Sequence, residues 1–271
     1  MYDTVKFRLN CLEEEKRFLL SNFNFQQNTR VPSKRWSHDW SYKLDNLIIK
    51  IYTSYITIEG SLAQFYYGEN LHLLGREEIK QAIDLLSGIL QLDINSAYVT
   101  RIDIAATFEM SHNAKCYFPF LGGCARRKKN LGYETTRYYN SKGGKNPQSF
   151  LFYDKGNQLR EEESYLLRFE CRWNGHLRQQ LKYNMPITAA TLSDPEFYRN
   201  IVLLWKTKYF NIEKINIPVY DPNICNTTSK ALKFLTSYLL KSISEKERMD
   251  IIEFLQNGLN AQERCRFRGV L

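Results

Sequence analysis

A tyrosine closing an apolar run is the residue in this chain best placed for covalent chemistry: Phe150 Leu151 Phe152 Tyr153 Asp154 Lys155. A phenol has an unperturbed pKa of about 10 and attacks poorly at neutral pH unless a cation lowers that pKa or a base takes the proton. Lys155, two residues on, falls on the same face of an extended chain as Tyr153 and Leu151. Two further stretches carry an acid bracketed by positive charge. In Val99 Thr100 Arg101 Ile102 Asp103 Ile104 Ala105, strand alternation sets Arg101, Asp103 and Ala105 on one face. In Leu167 Arg168 Phe169 Glu170 Cys171 Arg172 Trp173, it sets Arg168, Glu170 and Arg172 together. Carboxylates are hard ligands suited to Mg²⁺ or Mn²⁺, which polarise phosphodiesters. The same residues also fit a plainer description, a packed strand aromatic with its acids ion-paired to Arg101, Arg168 or Arg172.

Other chemistries lack their signatures. His38, His72, His112 and His176 show neither H-x-H nor H-E-x-x-H spacing, and the G-x-S-x-G and G-x-x-x-x-G-K-[ST] patterns are absent. Six cysteines are scattered without a C-x-x-C pair, which argues against a zinc knuckle or a disulfide scaffold and fits a reducing cytoplasm. No apolar run approaches the roughly 18 residues of a membrane span.

The elements that must position these residues follow from periodicity. Val5, Phe7 and Leu9 alternate with Lys6, Arg8 and Asn10 as a first strand, and a short helix is expected over Leu12–Asn22. Gln26–Trp40 has the composition of a surface loop. A meander of strands is expected at 47–52, 55–59 and 62–67, punctuated by Gly60 and Gly68. Arg76–Leu92 is a strongly amphipathic helix with Glu77 and Glu78 in its first turn. A short helix is expected over 113–120, an exposed acidic turn at Glu161–Glu163, and helices at 177–183, 196–208, 227–242 and 245–257. Asp194 and Pro195 form a helix start. The expected fold class is α+β, an antiparallel β-sheet body with packed helices over residues 1–175 and a helical C-terminal region over 176–271.

The chain carries 38 Lys and Arg against 29 acids, a formal charge of +9, which favours a polyanionic partner. The basic residues Arg126, Arg127, Lys128, Lys129, Arg137 and Lys142 lie just before the Tyr153 strand among tyrosines, and with Arg101 and Arg168 they form the expected phosphate-contacting set. The 18 Tyr, 16 Phe and 4 Trp offer rings on which unpaired bases stack, although strands also favour aromatics for packing.

In order and spacing, Val99–Ala105, Thr136 Arg137 Tyr138 Tyr139 leading into Phe150–Lys155, and Leu167–Glu170 resemble three motifs of phage and plasmid rolling-circle replication initiators. The likeness is to the filamentous-phage gene II type and to the transferred-plasmid initiators of Gram-positive bacteria; Gly60 Ser61 Leu62 and Tyr66–Leu71 add to the gene II likeness. The resemblance implies an HUH-endonuclease-like fold lacking the His-x-His motif. It implies that Tyr153 nicks origin DNA through a 5′-phosphotyrosyl link and later religates it, that Lys155 assists, and that Asp103 and Glu170 bind Mg²⁺ or Mn²⁺. The implied partners are single-stranded or hairpin origin DNA and the host helicase and replication machinery, in the bacterial cytoplasm and away from the membrane; a homodimer is left open. Plasmid members often carry a second acid where this chain has Thr107 and another where it has Arg172, leaving Asn70, Glu109 and Asp154 as further ligand candidates. Competing readings are a non-catalytic DNA-binding or replication-regulating protein on the same scaffold, and an RNA-binding protein using its aromatic sheet.

Overall fold

The computed structural model describes residues 1–28, 39–130, 135–141, 148–159, 165–214 and 227–244, with scattered positions to 253. Among these residues the strands are β1 (Tyr2–Asn10), β2 (Gln26–Gln27), β3 (Trp40–Leu44), β4 (Leu47–Ile51), β5 (Tyr55–Ser61), β6 (Tyr98–Glu109), β7 (Leu121–Cys124), β8 (Arg127–Asn130), β9 (Thr136–Ser141), β10 (Gln148–Asp154), β11 (Leu166–Asn174) and β12 (Ile212–Lys214). Ten of them form one antiparallel sheet in the order β2-β3-β4-β5-β1-β6-β11-β10-β9-β8. The long strands β1, β6 and β11 lie at its centre, so the acids of β6 and β11 sit where hydrogen bonding is least exposed to water.

The helices are α1 (Glu13–Asn22), α2 (Leu62–Tyr67), α3 (Arg76–Leu90), α4 (Lys155–Leu159), α5 (Leu177–Leu181), α6 (Pro195–Phe210) and α7 (Thr228–Ser242). On α3 the residues Ile79, Ala82, Ile83, Leu86 and Leu90 are buried, as its 3.6-residue period requires. Asp194 caps α6 by accepting from the Phe197 N–H at 2.8 Å.

The sheet has two unlike faces. One carries Phe150, Phe152, Phe169, Cys171, Trp173, Ile102 and Ile104, all buried. There α6 lays Trp205 and Tyr209 on the ring of Phe169, with centroids 5.4 Å away in each case, and Phe152 stacks beside Phe169 at 4.5 Å. The other face carries the charged residues of β6 and β11.

Three expectations are corrected. Residues 62–67 are a helix and not a strand: the Ser61 hydroxyl accepts from the Gln64 N–H, Gly68 closes the end in the left-handed region, and Leu62, Ala63 and Phe65 bury one side. Lys155 begins α4 and does not continue β10, because the Asp154 carboxylate caps the turn by accepting from the Asn157 N–H at 2.9 Å. The single short helix expected over 113–120 is instead two 3₁₀ segments, Ala114–Cys116 and Phe118–Phe120, and Glu161–Glu163 lie outside the described residues.

The chain divides into two compact units. The first holds residues 1–119 and 123–213, so α5 and α6 belong to the body of the sheet, anchored by the buried Leu177, Phe197, Ile201 and Trp205. The second holds residues 120–122 and everything from 214 onward. Its helix α7 is capped by Thr227, accepting from the Lys230 N–H at 3.3 Å, and much of the helix expected at 245–257 lies outside the described residues. Among the described residues no helix is long and apolar enough to cross a membrane.

Candidate active site

Register brings the three sequence motifs onto one face. Arg172 on β11 pairs with Asp103 on β6, Glu170 with Ala105, and Arg168 with Thr107. On the other side Leu151 of β10 pairs with Glu170 and Tyr153 with Arg168. Alternation then sets Tyr153, Glu170, Arg172 and Asp103 side by side. The Tyr153 hydroxyl donates to Glu170 Oε2 at 3.1 Å. Arg172 Nε donates to Glu170 Oε1 at 2.5 Å and lies 3.8 Å from Asp103 Oδ2. Arg101 clasps Asp103 with Nε at 3.0 Å and a terminal nitrogen at 2.5 Å, and reaches Glu59 with the other at 2.9 Å.

These charges are out of water: Asp103 is 1% exposed, Glu170 2%, Arg168 and Lys155 0%. Burial drives the Asp103 carboxyl up to about 7 against the pull of Arg101, and the charge of Glu170 adds to the rise. Burial and then Glu170 hold the Tyr153 hydroxyl well above the ordinary phenol value, so it is protonated at neutral pH. A cleft of about 280 Å³ lined by Tyr138, Tyr153, Asn157 and Arg172 gives access to that hydroxyl.

Arg168 is not on the phosphate-contacting surface where the sequence suggested it. It is fully buried, donating to Thr107 Oγ1 at 2.9 Å and to the carbonyls of Asn70 and Leu71 at 2.6 and 3.0 Å, with Asp3 at 3.7 Å. Lys155 performs a parallel task, donating to Asn70 Oδ1 at 2.6 Å and Gln158 Oε1 at 3.0 Å. Burial and the nearby Arg168 lower its ammonium to about 8. Together the two cations fix the 70–71 segment against the site.

The basic run divides by strand parity. Lys128 pairs with Asn140 and shares the face of Tyr138 and Leu151. Arg127 packs over Phe150 at 4.1 Å while donating to Gln148, and Arg137 lies over Phe118 at 4.7 Å, both on the apolar face. Lys129 shares their face, Arg126 is exposed at the turn before β8, and Lys142 lies outside the described residues. Tyr139 is a core residue, whereas Tyr138 lines the cleft at Tyr153.

Asp3 and Glu59 were not anticipated. The Ser61 hydroxyl donates to Asp3 at 2.8 Å, and Glu59 pairs with Lys6 at 2.8 Å as well as with Arg101. An acid within the apolar alternation of β1 was the available signal. Glu109 ends β6 opposite Leu166, away from Asp103.

The family model for the N-terminal region of the phage replication-associated protein, the gene II product, matches residues 1–191. The chain belongs to this family. The match spans Asp103, Tyr153 and Glu170 and ends just before α6. No curated protein matches the chain. Among solved structures, a rolling circle replication initiator protein from Geobacillus stearothermophilus is similar at 13% identity over 72% of this chain and 78% of that one, with a TM-score of 0.38.

Oxygen donors of the kind that take a divalent cation are present. Asp103 and Glu170 are two buried carboxylates that repel each other; Arg101 donates to both oxygens of Asp103, and Arg172 and Tyr153 donate to one oxygen each of Glu170. Among the described residues no group of three His, Cys, Asp or Glu is arranged around a metal position. Magnesium is commonly held by one or two carboxylates with water and substrate phosphate completing its shell.

Proposed function

We propose that this member of the replication-associated family initiates rolling-circle DNA replication by nicking an origin strand with Tyr153. The observation that carries the reading is the Tyr153 hydroxyl hydrogen-bonded to Glu170 at 3.1 Å beside Asp103, at a cleft open to solvent. In the proposed step the Tyr153 oxygen attacks the scissile phosphorus, its proton passes to the Glu170 carboxylate, and the bond to the 3′ oxygen breaks. A 5′-phosphotyrosyl link forms, and the 3′ oxygen takes up a proton to become the primer hydroxyl. Attack by a later 3′-OH on the phosphotyrosine reverses these bond changes and rejoins the strand.

Mg²⁺ or Mn²⁺ held by Asp103 and Glu170 would supply charge to the phosphate and lower the phenol's pKa. Arg172 faces the same cleft and orients the Glu170 carboxylate toward the phenol. Arg168 and Lys155 act by position: they hold residues 70 and 71 and leave the cleft its shape. Single-stranded or hairpin origin DNA is the proposed substrate, with the host replication machinery extending the 3′ end in the bacterial cytoplasm.

A second reading, a DNA-binding protein without catalysis, draws on the arginines that already neutralise Asp103 and Glu170. Incubation with supercoiled origin DNA over a Mg²⁺ and Mn²⁺ titration separates them. Nicked product with one covalently attached chain supports the proposal, and a Tyr153→Phe chain that still forms the adduct removes it. No cleavage of any supercoiled or single-stranded substrate with either ion leaves the binding protein.

A further inference from the structure

A second cleft, of about 910 Å³, opens at the end of β6 and β11 away from Tyr153. From the Arg168 register to Gly175 is seven residues of extended chain, on the order of 20 Å. Residues 98–100 of β6 line one side, residues 175–184 another, and Pro186 and Ile187 a third. These walls are fixed by hydrogen bonds. Gly175 turns the chain off β11 at φ +65°, a conformation that side chains resist, and its N–H donates to the Thr100 carbonyl at 2.9 Å. The Gln180 amide reaches back to the carbonyls of Asn174 and Gly175 at 2.7 and 2.9 Å, and Ile187 accepts from the Val99 N–H at 2.9 Å.

The chemistry of the lining is one-sided. Among the described residues it includes Arg178, Lys182 and His176 and no acid, and Tyr98 stands 51% exposed beside it. Tyr183 is held edge-on against Phe197 at 5.2 Å. A lining of cations without acids suits a phosphate, and an exposed ring in the same cleft suits a flat base. A nucleotide has both.

We infer that this cleft holds an unpaired nucleotide of the bound DNA strand, its base on Tyr98 and its phosphate toward Arg178 and Lys182. The inference rests on the strand-nicking reading in that the same strand also passes Tyr153. The two sites would then measure a fixed length of single strand, so that the base in the cleft helps to select which phosphate reaches the tyrosine.

Binding of a 5′-fluorescein thymidine dodecamer by the full chain, read by anisotropy in EDTA, tests the cleft without any cleavage. Tyr98→Ala combined with Lys182→Ala is expected to weaken binding about tenfold or more, and Tyr98→Phe to retain most of it. Affinity within twofold of the parent, in a double variant with the same melting temperature, overturns the inference. If that variant does not fold, the unaltered chain is photocrosslinked to a dodecamer carrying 5-iododeoxyuridine. Adducts on the peptides containing Tyr98 or Tyr183 support the cleft, and adducts confined to other peptides overturn it. Loss of these adducts to an equimolar amount of thymidine monophosphate overturns the strand in favour of a free nucleotide. Neither measurement depends on Tyr153 chemistry, so failure to nick leaves the result readable, and nicking with an idle cleft removes this inference alone.

Discussion

The two faces of β6, β11 and β10 are made by alternate residues of the same strands, yet they are stabilised differently. On one, Phe152, Phe169 and Trp205 pack ring on ring. On the other, Asp103 and Glu170 are buried beside Arg101 and Arg172, and Arg168 is buried beside Asp3. Apolar packing is favourable in itself, whereas charges withdrawn from water recover their desolvation cost only through near-ideal partners. The polar face therefore costs stability, and the apolar face, with α6 across it, supplies what that requires.

The contrast can be broken most sharply at Tyr153. Tyr153→Phe should reduce covalent nicking by more than about 10³-fold while lowering stability by no more than about 1–3 kcal/mol, since the ring stays packed and only the hydroxyl's hydrogen bond to Glu170 is lost. An assay of adduct formation beside calorimetry reads both. A large loss of stability would place Tyr153 with the packing residues instead.

On the apolar face Phe169→Ala should cost about 3–5 kcal/mol by denaturant unfolding, because it leaves a cavity beneath Trp205 and Tyr209 that they cannot fill without moving. Its effect on nicking should follow the folded fraction alone.

Lys155 sharpens the comparison through pH. Its folded pKa of about 8 is below that of a free lysine, so burying the ammonium costs stability below pH 8, and the cost disappears as the pH rises toward 10.5. Unfolding at a series of pH values should therefore show the parent gaining about 1–3 kcal/mol relative to Lys155→Met between pH 8 and 10.5. A flat difference would mean that Asn70 and Gln158 fully offset the burial.

The smallest expected effect separates two neighbours in the basic run. Lys128→Ala should weaken DNA binding and lower the salt slope by about one unit, and Arg127→Ala should leave the slope unchanged and lower stability. A slope lowered by the same amount in both variants would place both arginine and lysine on the DNA-binding side, contrary to the parity of β8.

Much of this site was legible because strand alternation is a local rule. Asp103, Glu170 and Tyr153 could each be assigned a face from its own segment, and the amphipathic period of α3 and the Asp194 cap are likewise short-range. Helix α2 was misread because Leu62 to Tyr67 carries apolar residues compatible with either period, and the decision came from the caps at Ser61 and Gly68. Arg168 was misread because a guanidinium beside an acid looks the same in sequence whether it faces solvent or lies beneath a loop. Nothing near residue 168 announces that the carbonyls of Asn70 and Leu71 will come to it.

By itself, the sequence determined the antiparallel α+β character, the basic balance and the three motifs, because each rests on neighbours within a few residues. Only the tertiary structure decided that β11 lies between β6 and β10, so that Glu170 meets both Tyr153 and Asp103. It also decided that Asp3 and Asn70 join them from elsewhere in the chain, and that a cleft lined by cations forms where α5 leaves the sheet. Strand order and register are global choices, set by which faces can be buried together, and no single segment encodes them.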